Sequence, residues 1–142
     1  ADPNGYDEQH MTPLHWAVIK GQRLCVELLL QRGAHTDVRD SSDRTPLHFV
    51  AIYGWGTEFP SILTALYFAG ANFNAGDQSL NTPLHLAAFE GKVQTVNELI
   101  KYGAKLDRAN LWQQRTPLGM AKLAEHTDVI DALTAAGATQ EY

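Results

Sequence analysis

Apolar and polar positions recur along this chain with a helical rhythm. Between Thr82 and Ala104, Leu84, Ala87 and Ala88 fall at helical spacing and Gly91 stops the run. Val96, Leu99 and Ile100 then set a second apolar stripe, which Tyr102-Gly103-Ala104 ends. Steps of three and four residues put such side chains on one face, so the pattern predicts two short helices. Neither would be stable alone, because helices under about 12 residues are marginal in water. Each must bury its stripe on a neighbour, and the small alanines allow close approach.

The block occurs four times. Thr-Pro-Leu steps begin at Thr12, Thr45, Thr82 and Thr116, spaced by 33, 37 and 34 residues, and Gly-Ala pairs at Gly33, Gly70, Gly103 and Gly137 run in phase with them. Thr suits an N-cap, because its hydroxyl can accept a first-turn N–H, and Pro directly after it sits where a missing donor costs nothing. Between blocks lie polar stretches at 38–44, 74–81 and 107–115, rich in residues that favour turns and predict projecting hairpins or fingers. A period near 33 residues means that one supersecondary unit is stacked, so the expected fold is an all-α solenoid. Its repeats run at about 7–39, 40–76, 77–109 and 110–142 of a single domain.

About four extra residues enlarge the second block, within 55–61. Pro60 cannot lie in a helix interior and Ser61 suits an N-cap, so this segment is expected to be a loop with its own shape. Its aromatics Trp55 and Phe59 either fold down over the edge of the stack or make a partner-specific contact.

Composition narrows the function classes. Eleven Lys and Arg against 16 Asp and Glu give a net charge of -5, which argues against nucleic-acid binding. No window is long or apolar enough to insert in a membrane. The lone Cys25 has no internal disulfide partner and no Asn-X-Ser/Thr sequon occurs, so a cytoplasmic setting is expected, with the nucleus as an alternative. Ala1-Asp2-Pro3 is unlike the repeats and reads as an expression remnant. No phosphate-binding loop, Cys-X-X-Cys pair, zinc-protease motif or nucleophile elbow is present, and the carboxylates are scattered. No catalytic residue, metal site or cofactor is therefore expected, and an enzyme is not.

Thr-Pro-Leu-His, then Gly nine residues after the Thr, Val five later and Gly-Ala seven after that, closely resembles the ankyrin repeat, over about residues 7–138. The fourth unit departs from the pattern with Gly119 for His and Glu125 for Gly. The turn glycine usual two residues before the Thr is replaced by His10, Asp43, Leu80 and Gln114. The resemblance implies helix pairs stacked as a palm, hairpins as fingers, and partners held on the concave side. It also implies structural roles for His15, His48 and His85, which would tie each helix start to the adjoining loop. Thr12, Thr45, Thr82 and Thr116 are structural with them.

Counting from each Thr picks out candidate contacts. Seven residues on stand Ile19, Ile52, Phe89 and Leu123, a position that faces the palm in ankyrin repeats and is normally variable. Four apolar residues there point to an interaction surface. Four residues on, Trp16, Phe49, Leu86 and Met120 either broaden that stripe or pack the core. Tyr53, Arg44 and Arg115 are of the types most often energetic at interfaces. Cys25 is expected on the buried stripe of its helix. Asp128, Asp131 and Thr134 give the last helix the polar face of a capping repeat, whereas Leu24 and Leu28 put leucine on the outer side of the first. More chain is therefore expected before it. The expected function is a non-catalytic module, monomeric in isolation and part of a longer chain, that binds another protein or a peptide. The alternative is a regulatory or substrate-docking element of a larger enzyme.

Overall fold

The computed structural model describes residues 3–54 and 56–139. These form eight helices and no strand: α1 (Pro13–Ile19), α2 (Arg23–Gln31), α3 (Pro46–Tyr53), α4 (Phe59–Phe68), α5 (Pro83–Glu90), α6 (Val93–Lys101), α7 (Pro117–Leu123) and α8 (Thr127–Ala135). The chain divides into two compact units, Ala1–Asn72 with α1 to α4 and Phe73–Tyr142 with α5 to α8. In the first, α1 pairs with α2 and α3 with α4, while α1 stacks on α3 and α2 on α4. The second repeats the scheme, with α5 on α7 and α6 on α8. The architecture is an all-α repeat fold.

Every odd-numbered helix starts the same way. Thr12, Thr45, Thr82 and Thr116 hold extended backbone at the N-cap with Pro next. In three of them the fourth residue is a histidine that closes a capping box from the opposite side. Its Nδ1 accepts the threonine N–H at 3.1 Å in His15, 3.0 Å in His48 and 3.1 Å in His85. Leu14, Leu47 and Leu84 follow the cap into the core and are fully buried. Val18, Ile62 and Leu66 fill the rest of the first core, and Leu99 and Leu133 that of the second. Burial of each such side chain stabilises by about 1.5–3 kcal/mol.

The even-numbered helices have no side-chain cap bond. Helix α4 begins earlier than its sequence suggests, at Phe59, with Glu58 in the cap position instead of Ser61. Pro60 is tolerated because it lies in the first turn, where its nitrogen needs no acceptor. Phe59 is only 9% exposed. Its ring lies so close to the α1–α2 turn that a Cβ on Gly21 would come within 3.2 Å of it. Glu58 ties the same region down through Arg23 Nε at 2.8 Å. Trp55 lies outside the described residues.

Cys25 corrects a second expectation, since it is exposed. Its counterparts Ile62 and Val129 are fully buried, because α2 packs over α4 and α6 over α8. Periodicity places Cys25 on the right face, but among the described residues no helix pair lies over that face of α2.

Fingers connect the pairs as turns without strand pairing. Asp7, Asp40 and Asp77 each use one carboxylate oxygen to accept two N–H groups across the turn, at 2.9 and 2.9, 2.8 and 2.9, and 2.9 and 3.0 Å. In the fourth finger Asn110 Oδ1 accepts from Arg115 N–H at 2.9 Å. Such side-chain closure substitutes for the ladder of a true hairpin.

Candidate interaction surface

The residues seven after each Thr lie outside the core in both units. Ile19 and Ile52 are half-buried on the packed helices α1 and α3, while Phe89 and Leu123 are 41% and 42% exposed on α5 and α7. The residues four after each Thr divide differently: Phe49, Leu86 and Met120 are buried, and only Trp16 is exposed. Core packing wins there except in the first repeat. Trp16 donates its indole N–H to Asp7 Oδ2 at 3.2 Å. Tyr53 is exposed, its ring stacked on Phe49 with centroids 6.0 Å apart. The first unit thus presents Trp16, Ile19, Ile52 and Tyr53 near a carboxylate, and the second Phe89 and Leu123. Phe59 is not presented with them, being packed inside the first unit.

Histidines fix the fingers to this surface. Since Nδ1 of His15 and of His85 accepts a backbone N–H, Nε2 carries the proton and donates, to the Arg44 carbonyl and the Arg115 carbonyl at 2.9 Å each. Burial holds both imidazoles below the usual histidine range, against the opposing pull of those carbonyls. A neutral ring is what the bridge requires. Asp7 is held below the usual carboxylate range mainly by the Met11 N–H, with Trp16 and Gln9 adding to it.

Arg44 and Arg115 therefore have two parts. Their backbones are structural acceptors for histidine, and their side chains are half-buried beside the fingers. The Arg115 guanidinium lies over the Trp112 ring, 5.3 Å from its centroid. Trp112, Leu111 and Leu80 are large exposed apolar residues at fingertips of the second unit; sequence reasoning notes Leu80 only as a replaced turn glycine and passes over the other two because their window is polar on average. Their signal was apolar residues at turn positions, where Ser41 and Ser42 stand in the second finger.

Elsewhere a shallow hollow of about 370 Å³ opens on the uncovered side of α1 and α2, lined by Trp16, Cys25, Leu28 and Leu29 among others. Among the described residues, no group of three or more His, Cys, Asp or Glu is placed to hold a metal, and no helix is long and apolar enough to cross a membrane.

Comparison with known proteins agrees with this geometry. A family model described as ankyrin repeats (3 copies) matches residues 1–77 and again 51–141. Human ankyrin repeat and SOCS box protein 11 is 35% identical over 115 residues, covering 80% of this chain and 34% of that protein. Human transient receptor potential cation channel subfamily A member 1 is 33% identical over 106 residues, 75% of this chain and 9% of the channel. A putative ankyrin repeat protein of fowlpox virus, FPV222, is 34% identical over 90 residues, 63% of this chain and 12% of that one. The chain thus spans about a third or less of these relatives. With the family model reaching both units, and three of the four helix starts closed by the same Thr-Pro-Leu-His box, the chain belongs to the ankyrin-repeat family.

Proposed function

We propose that the chain is a non-catalytic module that holds a protein or peptide partner against its palm and finger surfaces. Ankyrin repeats are generally protein-interaction modules and generally not catalysts. The observation that carries the reading is the apolar pair that each unit presents, Ile19 with Ile52 and Phe89 with Leu123. Val18, Ala51, Ala88 and Ala121 on the same four helices are buried, yet each member of the pairs leaves apolar surface in water. That surface adds little to folding, and its removal from water by a partner would contribute roughly 25 cal/mol per Å². Tyr53 and the half-buried side chains of Arg44 and Arg115 extend it with residue types that anchor interfaces. Because the helices are already formed, association loses little ordering entropy.

The test is a pull-down with the isolated chain against an Ile52→Asp, Phe89→Asp variant, with each captured protein then purified and retitrated. Loss of a purified partner by the variant supports the palm; equal binding to both moves the site elsewhere. The much greater length of the relatives supports a place within a longer protein, and the second reading is a docking or regulatory element of a larger enzyme. Its mark would be altered turnover of that enzyme on disrupting the same pairs. The single, exposed thiol of Cys25 supports a cytoplasmic or nuclear setting, which imaging of a fluorescent fusion would check.

A further inference from the structure

The third and fourth fingers, both in the second unit, lie side by side, with Leu111 N–H donating to the Ser79 carbonyl at 2.8 Å. Their tips differ in chemistry from those of the first unit. Leu80, Leu111 and Trp112 are 48%, 64% and 49% exposed, where the first two fingers carry Glu8, Gln9 and His10, then Ser41, Ser42 and Asp43. The finger backbone itself does not differ: His10, Asp43 and Leu80 have φ of 60°, 60° and 59°, and only the fourth finger carries two such residues, Gln113 and Gln114 at 58° and 55°.

Arg115 stands beside these tips. Its guanidinium lies 5.3 Å from the Trp112 centroid, and Nη2 donates to Gln113 Oε1 at 2.6 Å. Its Nε is buried with no hydrogen-bond partner, and among the described residues no carboxylate pairs with it. A guanidinium offers a planar fork that matches a carboxylate with two parallel bonds. One side of the patch is thus indole and leucine, and the other is a cation short of acceptors.

Resting on the interaction-module reading, we infer that the tips of the third and fourth fingers form a binding site for an extended peptide segment that carries a carboxylate next to a large apolar side chain. The apolar group covers Leu111 and Trp112, while the carboxylate pairs with the Arg115 guanidinium where it stands over the indole. Charge complementarity decides the occupant: a purely apolar segment would desolvate Arg115 without pairing it, and a basic one would be repelled. The stack of Arg115 on Trp112 keeps the fork in place before binding.

The experiment pans a phage-displayed library of random 12-residue peptides on the immobilised 142-residue chain and titrates recovered peptides, fluorescein-labelled, by anisotropy. Recovered sequences should pair Asp or Glu with Trp, Phe, Leu or Ile within a few residues. Trp112→Ala and Arg115→Gln should each weaken them by roughly 30-fold, with a substitution of the exposed Gln31 on α2, Gln31→Ala, leaving them unchanged. Arg115→Gln keeps the backbone groups that bond Asn110 and His85, and an unchanged melting temperature verifies folding. Peptides indifferent to both tip variants but lost with Phe89→Asp overturn this inference while leaving the module reading standing. Recovery of no peptide, or of basic ones bound at the tips, overturns it too, as does sedimentation showing a self-dimer that Trp112→Ala abolishes, since the occupant would then be a second copy.

Discussion

Single residues in this chain show where the repeat pattern is kept at a cost. Gly91 and Glu125 occupy the same place, after the first helix of a pair, with φ of 76° and 60°. Gly91 is at home in left-handed backbone, and a Cβ there would also come within 2.7 Å of the His126 ring. Glu125 adopts the conformation against its preference, which costs about 1–2 kcal/mol for a residue with a Cβ. Glu125→Gly is therefore expected to raise unfolding stability by about 1 kcal/mol, read from urea midpoints, whereas Gly91→Ala should lower it by more than about 2 kcal/mol. Lys92 is a second such residue. It is buried, and that burial, opposed by Glu90, pushes its ammonium down to about 8 from 10.5. Between those two values the unfolded chain binds more protons than the folded one, so stability rises with pH there. Lys92→Met should be more stable at pH 7 by about 1–2 kcal/mol, and its stability should no longer climb between pH 8 and 10.5 in a denaturation series.

At the scale of the helix and its finger, the histidine bridge gives a pH signature of the same origin, in a lower pH window. His15 and His85 are held below 6.5, the ordinary histidine value, by burial. Above that value the ring is neutral in both states and the bridge is intact. As pH falls below it, the unfolded chain takes up protons that the folded chain refuses, so stability drops until the folded pKa is passed. Urea unfolding from pH 7.5 to 5 should show this decline, and it should flatten in a His15→Gln, His85→Gln variant. That variant should also be less stable at pH 7.5, by about 2 kcal/mol for each bridge lost. The start of this element was legible beforehand, because Thr-Pro states cap and first turn by residue chemistry, whereas the role of the histidine was implied only by the ankyrin resemblance. Other features were less so. Phe59 reads as a loop aromatic that either folds down over the stack or meets a partner, and the pattern does not name Gly21 as the place where it packs. Cys25 reads as buried, since periodicity assigns a face but not what lies against it. Leu111 and Trp112 vanish into a polar window, where average composition hides two exposed side chains.

For the whole molecule, stability and binding are drawn from different residues, and this separation is itself testable. Leu99 and Leu133 are fully buried, so truncating either to alanine leaves a cavity and should cost about 2–5 kcal/mol. Phe89 and Leu123 sit on neighbouring helices of the same unit, yet more than two fifths of each lies in water. The side chains that pack the interior from those helices are instead Leu84, Ala87, Leu118 and Ala121. Replacing both surface residues with aspartate therefore removes little packing, and each new carboxylate can remain hydrated. A Phe89→Asp, Leu123→Asp variant should unfold within about 1 kcal/mol of the parent, since surface substitutions cost about ±0.5 kcal/mol each. The same variant takes the net charge two units below the -5 of the parent, which favours solubility. Calorimetric unfolding in parallel with binding of a purified partner makes the comparison direct. A melting temperature lowered as far as by Leu99→Ala would mean that the pair is core in function if not in exposure, and would remove the palm as a separable interaction surface.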